Sequence, residues 1–75
     1  MKPIIHLNPP KRCDICNESI TNKFYDVKII SMGGVWGNIC PICFKQRNCK
    51  LGTGLGQEYI QTFKGFELQR DWAVI

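Results

Sequence analysis

The chain has 75 residues, including five cysteines and one histidine, and its formal net charge is +4. This length gives one small domain, and ordering it costs about 110 kcal/mol of conformational entropy at about 1.5 kcal/mol per residue, which a core of this size rarely offsets alone. No stretch approaches the roughly 20 apolar residues of a membrane span and no lipidation motif is present, so we exclude a membrane partner and expect a soluble, cytoplasmic protein.

Residues 1–10 carry three of the four prolines, at positions 3, 9 and 10. Proline removes a backbone donor and favours extended conformations. This segment is therefore predicted to be an extended N-terminal arm that leads into the first cysteine pair.

Two pairs of cysteines share a spacing of two intervening residues, "CDIC" at residues 13–16 and "CPIC" at residues 40–43. This spacing lets the chain turn so that both sulfurs point at one centre about 2.3 Å away, while amides of the turn donate to the thiolates. A structural zinc ion adds about 10 to 16 kcal/mol of folding free energy, which a chain this short needs. We predict one Zn²⁺ per chain, bound by Cys13, Cys16, Cys40 and Cys43.

Other uses of these cysteines fit less well, and one stays open. A disulfide framework disagrees with the odd count of five cysteines and with the lack of an apolar signal segment. A thioredoxin-like redox pair needs a larger α/β core than this length supplies. Iron held by the same four thiolates stays open, because ligand type alone does not select between the metals. His6 is predicted to be packed or solvent-facing, since four thiolates already complete a tetrahedral site.

A β-hairpin is predicted between the two pairs. "KFYDVKII" is rich in β-branched and aromatic residues, "SMGG" supplies turn glycines, and "VWGNIC" returns the chain to the second pair. Because side chains alternate along a strand, Tyr25, Val27 and Ile29 share the more apolar face. We predict that this is the core face and that Trp36 joins it.

After the second pair, "PICFKQRNCK" permits one or two helical turns with Phe44 facing inward. Cys49 lies outside both pairs and is predicted to be a free, packed thiol. If it were exposed beside these cations, its pKa would be lowered and it would be reactive.

The glycine-rich segment "LGTGLGQ" lacks both the G-x-G-x-x-G spacing of dinucleotide folds and the ending of a P-loop. We predict a structural role, with at least one of Gly52, Gly54 and Gly56 at positive φ and the backbone passing close to the ribbon. A backbone-amide anion site in this loop stays an alternative. "EYIQTFKGFELQ" is then predicted to form a second short hairpin that turns near Lys64 and Gly65.

Five cations flank the two cysteine pairs. Four thiolates subtract four charges and one Zn²⁺ adds two, so the net charge of +4 falls to +2 and is only mildly basic. These cations either offset the charge of the metal centre and solvate that end of the domain, or they bind a phosphate backbone. They are Lys11, Arg12, Lys45, Arg47 and Lys50.

The segments "CDIC", the hairpin with Trp36, "CPIC" and "LGTGLGQEY" resemble a group of small phage-encoded zinc-ribbon proteins. In that group a CxxC pair, a hairpin, a CPxC pair and a G-T-G-x-G-Q-x-Y segment recur. The likeness covers residues 13–59, and the resemblance implies fold and zinc rather than a mechanism. Its most distinctive matches are Gly52, Thr53, Gly54, Gly56, Gln57 and Tyr59.

The predicted fold is a small metal-stabilised β-rich domain, a zinc ribbon with two zinc knuckles, a central β-hairpin and a short C-terminal hairpin. Residues 1–10 form the arm, residues 11–59 the zinc ribbon, and residues 60–75 a C-terminal extension that packs on the ribbon or trails from it.

We expect a non-catalytic protein of phage or bacterial type, in the host cytoplasm if phage-encoded, without a small-molecule substrate. Zinc held by four thiolates has no open position for water, and the carboxylates are scattered. One function is nucleic-acid binding through the five cations, with an exposed aromatic such as Tyr25 or Trp36 stacking on bases. The alternative is binding to a host protein, such as the transcription machinery or a defence factor, through "SMGGVW" or "DWAVI".

Overall fold

The fold is a four-stranded antiparallel sheet with the strand order β2-β1-β3-β4. A computed structural model describes residue 6, residues 8–52 and residues 54–70. Both predicted hairpins are confirmed, and so is the short helix. The elements are β1 (Lys23–Ile29), a 3₁₀ turn (Ile30–Met32), β2 (Val35–Ile39), α1 (Pro41–Gln46), β3 (Gly56–Thr62) and β4 (Gly65–Arg70).

The turn of the first hairpin depends on two consecutive glycines. Gly33 and Gly34 have φ values of 80° and 82°, in the left-handed region that glycine enters without steric cost. The N–H of Gly34 donates to the carbonyl of Ile29 at 3.0 Å, which closes the turn. The β-branched and aromatic residues of the flanking strands then pair in one register, with Val27 opposite Gly37.

One face of the sheet, which we call the cysteine face, carries Tyr25, Val27 and Ile29 of β1 and Ile39 of β2. All four side chains are buried, and they form one cluster with the buried cysteines. The prediction that Tyr25, Val27 and Ile29 face a core is therefore confirmed.

The opposite face, which we call the ring face, is also covered, but by aromatic rings. Phe24 is fully buried, stacks on Tyr59 of β3 at 5.0 Å between ring centroids, and meets Phe66 of β4 edge-on at 5.2 Å. His6 packs edge-on against Phe24 and Tyr59. Its backbone N–H donates to the carbonyl of Phe66, so this position of the arm is attached to the sheet.

The prediction that Trp36 joins the core is wrong, because its side chain is 49% exposed. The register pairs Trp36 with Lys28, which places it on the side of the sheet opposite Val27. It also lies on β2, the edge strand of the sheet, and therefore has a neighbouring strand on one side only.

The glycine-rich segment has the predicted positive φ angles and the predicted close approach to the rest of the ribbon. Gly52 and Gly54 have φ values of 141° and 77°. At Gly56 an added Cβ would lie 2.9 Å from the carbonyl oxygen of Lys50 and would overlap the side chain of Val27. The segment therefore needs glycine both for its backbone angles and for close approach to β1.

The second hairpin extends the sheet beyond the ribbon segment. β3 runs from Gly56 to Thr62 and therefore crosses position 60, where the C-terminal extension was predicted to begin. The chain turns at Phe63 and Lys64, and β4 returns along β3. None of the helices in the described part of the chain combines the length and apolar character needed to cross a membrane.

Candidate metal centre and basic groove

The structure brings the four paired cysteines together. One Sγ atom from each of them lies within 4.8 Å of all the others, and the Sγ atoms of Cys16 and Cys40 are 3.8 Å apart. Tetrahedral coordination with metal–sulfur bonds of about 2.3 Å requires sulfur separations of about 3.8 Å. The cluster therefore has the size of a site for one metal ion, formed by Cys13, Cys16, Cys40 and Cys43.

The first knuckle is a tight turn that is fastened to β2. Within the turn, Asn17 has a φ of 62° and its N–H donates to the carbonyl of Cys13. The N–H of Asp14 donates to the carbonyl of Asn38, and the N–H of Asn38 donates to the Asp14 carboxylate at 2.8 Å. These two bonds hold the knuckle against β2 and occupy hydrogen-bonding groups of an edge strand that would otherwise be open.

The second knuckle uses the start of α1. Cys40 is the N-cap residue and Pro41 follows it at the first helical position, where the missing N–H of proline costs nothing. The N–H of Phe44 donates to the carbonyl of Cys40 at 2.9 Å, and Cys43 lies within the same helical turn. The helix therefore orients both sulfurs of "CPIC" towards the first knuckle.

The pKa values of the clustered thiols favour binding of a cation. Burial alone would raise the pKa of Cys13, but backbone hydrogen bonds, among them the N–H of Ile15 at 3.4 Å, outweigh it and lower the pKa to about 6. Burial and the neighbouring thiols raise the pKa of Cys43 to about 12. Cys13 ionises readily while Cys43 resists a further negative charge, so a metal cation is the partner that would let these thiols be thiolates together.

Cys49 and His6 lie outside this cluster. Cys49 is a free, buried thiol, as predicted, and burial raises its pKa, so it is not the reactive thiol that an exposed position would have produced. His6 is packed against the ring face, which agrees with the prediction that it is packed or solvent-facing.

A groove of about 410 Å³ lies beside the metal centre, between β1 and α1. The ring of Phe44 stacks on Tyr25 with centroids 3.9 Å apart, and both line the groove. Lys45, Asn48 and Lys50 line it as well. The groove therefore combines an aromatic wall with two ammonium groups and one amide.

The structure sorts the five predicted cations into two groups. Lys45 and Lys50 line the groove, whereas the other three are exposed outside it. The guanidinium of Arg12 donates to the carbonyl of Asn17 at 3.1 Å and so supports the turn of the first knuckle. The remaining two exposed cations are Lys11 and Arg47.

Sequence reasoning missed Glu58, a carboxylate that is only 3% exposed. The Tyr25 hydroxyl donates to it at 2.8 Å, and the Lys23 ammonium lies 3.7 Å from the same oxygen. The sequence feature that could have revealed its burial is the alternation of side chains along β3. This alternation puts Glu58 on the same side as Gly56, and the strand pairing places it opposite Tyr25. This bond fixes Tyr25 in the groove wall, where it is too buried to stack on a base, so that suggested role is wrong.

Comparison of the chain with models of protein families, with curated proteins and with solved structures finds no match. The resemblance to phage-encoded ribbons stays a prediction from the sequence. The structure itself establishes a small β-rich domain with four clustered cysteines that can hold a metal ion, which confirms the predicted fold class.

Proposed function

We propose that this protein is a non-catalytic, zinc-stabilised domain that binds nucleic acid through the phosphate backbone. The observation that carries the proposal is the pairing of Lys45 and Lys50 in one groove beside the metal centre. The sequence resemblance supports a phage or bacterial origin, and the proposal includes it.

Zinc is the metal that the donor set favours. Four cysteine thiolates in a closed tetrahedral arrangement are typical of structural zinc sites, and they leave no coordination position for a reacting water. When bound, the ion cross-links the two knuckles and so fixes α1, which carries Lys45, against β1. The metal therefore shapes the groove and is not expected to contact the ligand.

The groove suits a phosphodiester for electrostatic and geometric reasons. Two ammonium groups can bind two phosphate oxygens or adjacent phosphates, and the Asn48 amide can donate to a sugar or phosphate oxygen. The wall is rigid, because Tyr25 is held by Glu58 and by the stacked ring of Phe44. Since the whole domain is only mildly basic once the metal centre is counted, we expect weak binding that depends strongly on salt.

Fluorescence anisotropy of labelled single-stranded and double-stranded oligonucleotides at several salt concentrations tests the proposal. The logarithm of the affinity should fall linearly with the logarithm of salt concentration, by about 0.7 to 0.9 per phosphate contacted. Lys45→Ala and Lys50→Ala should each lower this slope by nearly one and leave the zinc content unchanged. Arg47→Ala should have a smaller effect, because Arg47 does not line the groove.

Lys64→Ala is the matched control, because it removes the same charge from the β3–β4 turn, outside the groove. Absent binding at low salt, or an equal effect of the Lys45, Lys50 and Lys64 substitutions, would refute phosphate binding in the groove. The five cations would then serve to solvate the metal end of the domain.

A second function, binding to a host protein, is favoured by a different observation. Four large apolar side chains are exposed around the tip of the first hairpin, and Met and Trp are enriched in protein interfaces. Capture from bacterial lysate should then survive nuclease treatment, be lost on Trp36→Ser and persist in the Lys45→Ala variant. The four side chains are Ile30, Met32, Val35 and Trp36.

A further inference from the structure

The four cysteines of the metal centre are unequally accessible. Cys13, Cys40 and Cys43 are buried, whereas Cys16 is exposed. A cleft of about 450 Å³ opens beside the cluster, and its lining includes Cys16, Cys40 and Cys43 but not Cys13. A small molecule in this cleft therefore meets the Cys16 sulfur with the least rearrangement of the protein.

The positions of the Cys13 and Cys16 sulfurs add to this difference in accessibility. The Cys13 sulfur is buried and accepts the N–H of Ile15 within its own turn, so a reagent in the cleft does not reach it directly. Cys16 lines the cleft, and its sulfur lies 3.8 Å from the Cys40 sulfur, across the two knuckles. These two sulfurs are thus placed to react in sequence.

The cleft also favours one class of reagent. Ile42 is exposed and lines it together with Pro41, so much of the surface is apolar. The carboxylate of Glu18 lines it too and repels anions. A small neutral oxidant can enter, whereas an anionic thiol or disulfide such as glutathione is disfavoured.

We propose that Cys16 is a modification site at which a small neutral peroxide oxidises the metal centre, and that the product is a disulfide between Cys16 and Cys40. The inference rests on an occupied metal centre and does not depend on nucleic-acid binding. Its consequence is loss of two of the four metal ligands, release of the ion and unfolding of the knuckle end.

The reaction balances with hydrogen peroxide as the two-electron oxidant. The Cys16 thiolate attacks one peroxide oxygen, the O–O bond breaks, and hydroxide leaves a sulfenic acid on Cys16. The Cys40 thiolate then attacks that sulfur, the S–S bond forms, the S–O bond breaks, and a second hydroxide leaves. The two hydroxides take up two protons from the buffer and become water, so two thiolates are oxidised and one peroxide is reduced.

Peptide mapping of the zinc-loaded Cys49→Ser protein after treatment with less than one equivalent of hydrogen peroxide tests this order. Trypsin cleavage leaves the first cysteine pair in the peptide of residues 13–23 and the second cysteine pair in the peptide of residues 29–45. A disulfide from Cys16 to Cys40 therefore joins the two peptides, and fragmentation distinguishes Cys40 from Cys43. A chromogenic zinc chelator should report metal release at the same rate as this cross-link forms.

A variant that keeps all four ligands tests the cleft itself. Ile42→Trp should narrow the cleft and slow both zinc release and the cross-link several-fold, with unchanged zinc content. Ile30→Trp changes an equally exposed isoleucine on the hairpin tip and should have no effect. A disulfide within residues 13–23, equal oxidation of all four cysteines, or equal rates in the two tryptophan variants would overturn the proposal.

Discussion

The two faces of the sheet are stabilised in different ways, although they share β1. On the cysteine face, Val27 and Ile39 are fully buried against the knuckles, so their burial depends on the metal ligands. On the ring face, Phe24 is equally buried, but by rings from β3 and β4 and by His6. The four clustered cysteines therefore organise one half of the core, and pairing of distant strands organises the other.

This difference decides what removal of the metal should do. Phe24 and Tyr25 are neighbours on β1, so a strand that loses its cover on one face is weakened on the other. The ring face alone is a partial core in a chain too short to fold with half its burial. We therefore expect the two faces to unfold together when the metal is removed, and the predictions below test how far they can be separated.

The largest effect should come from the metal ligands. Cys40→Ser or a strong chelator should abolish cooperative folding, because structural zinc contributes about 10 to 16 kcal/mol to domains of this kind. Circular dichroism measures the loss of folding, and metal analysis measures the loss of bound zinc. Cys49→Ser is the matched control, because Cys49 is buried but lies outside the cluster, and it should retain one zinc ion per chain. Equal metal loss in both variants would contradict the assignment of ligands.

The next effect concerns the ring face. Phe24→Ala should lower the free energy of unfolding by about 3 to 5 kcal/mol, the usual cost of removing a buried phenylalanine ring. Urea denaturation in excess zinc isolates this loss from metal release. Phe63→Ala is its control, because Phe63 is 95% exposed on the β3–β4 turn, and it should change stability by less than about 0.5 kcal/mol. A small effect of Phe24→Ala would show that the ring face contributes little.

Gly56 lies on the cysteine face, where it lets β3 approach Val27 of β1. Gly56→Ala should cost about 1 to 3 kcal/mol, since the added methyl group overlaps Val27 and lies close to the Lys50 carbonyl. Gly54→Ala should cost about 1 kcal/mol, because it has a positive φ but nothing within 4 Å of the added atom. Thermal unfolding measures both, and Val27→Ala should reduce the additional loss caused by Gly56→Ala.

Nucleotide titration of the wild-type protein and of Gly54→Ala separates a structural glycine segment from a ligand-binding one. If the segment bound a nucleotide, the wild-type protein would bind ATP or GTP saturably, and Gly54→Ala would abolish this binding while the protein remained folded. Calorimetric titration of the wild-type protein should instead detect no such binding.

The sequence predicts features that depend on local spacing. The two hairpins, the helix after Cys40 and the inward side of Tyr25, Val27 and Ile29 follow from short patterns of period two or from glycine and proline positions. The pairing of "CDIC" with "CPIC" follows from the geometry of thiolate ligands. These are the parts of the fold and of the candidate site that the structure reproduces.

The sequence did not predict features that depend on pairing between strands distant in the chain. The ring face exists because β3 pairs with β1, so that Tyr59 meets Phe24, and no local pattern specifies that register. The exposure of Trp36 follows from its position on an edge strand, and the burial of Glu58 follows from its place opposite Tyr25. The groove likewise requires α1 and β1 to be docked before Lys45 and Lys50 can share it.

The smallest predicted effect concerns Asp26, which lies on the ring face of β1. It tests whether the charge of this residue or its packing affects the stability of the protein. Burial raises the pKa of Asp26 above its ordinary value of 3.8, an effect that His6 opposes and Asp14 reinforces. The ionised form is therefore the unfavourable one: its cost is absent below pH 3.8 and appears as the pH rises through the raised pKa. Asp26→Asn should stabilise the protein slightly at neutral pH, and the gain over wild type should shrink as the pH falls. Thermal unfolding between neutral pH and the acid limit of metal retention measures this, with the Asp26 pKa taken from its carboxyl carbon shift by NMR. A gain that is constant with pH would show that the amide acts through packing or hydrogen bonding, and that the charge of Asp26 does not limit the stability of this face.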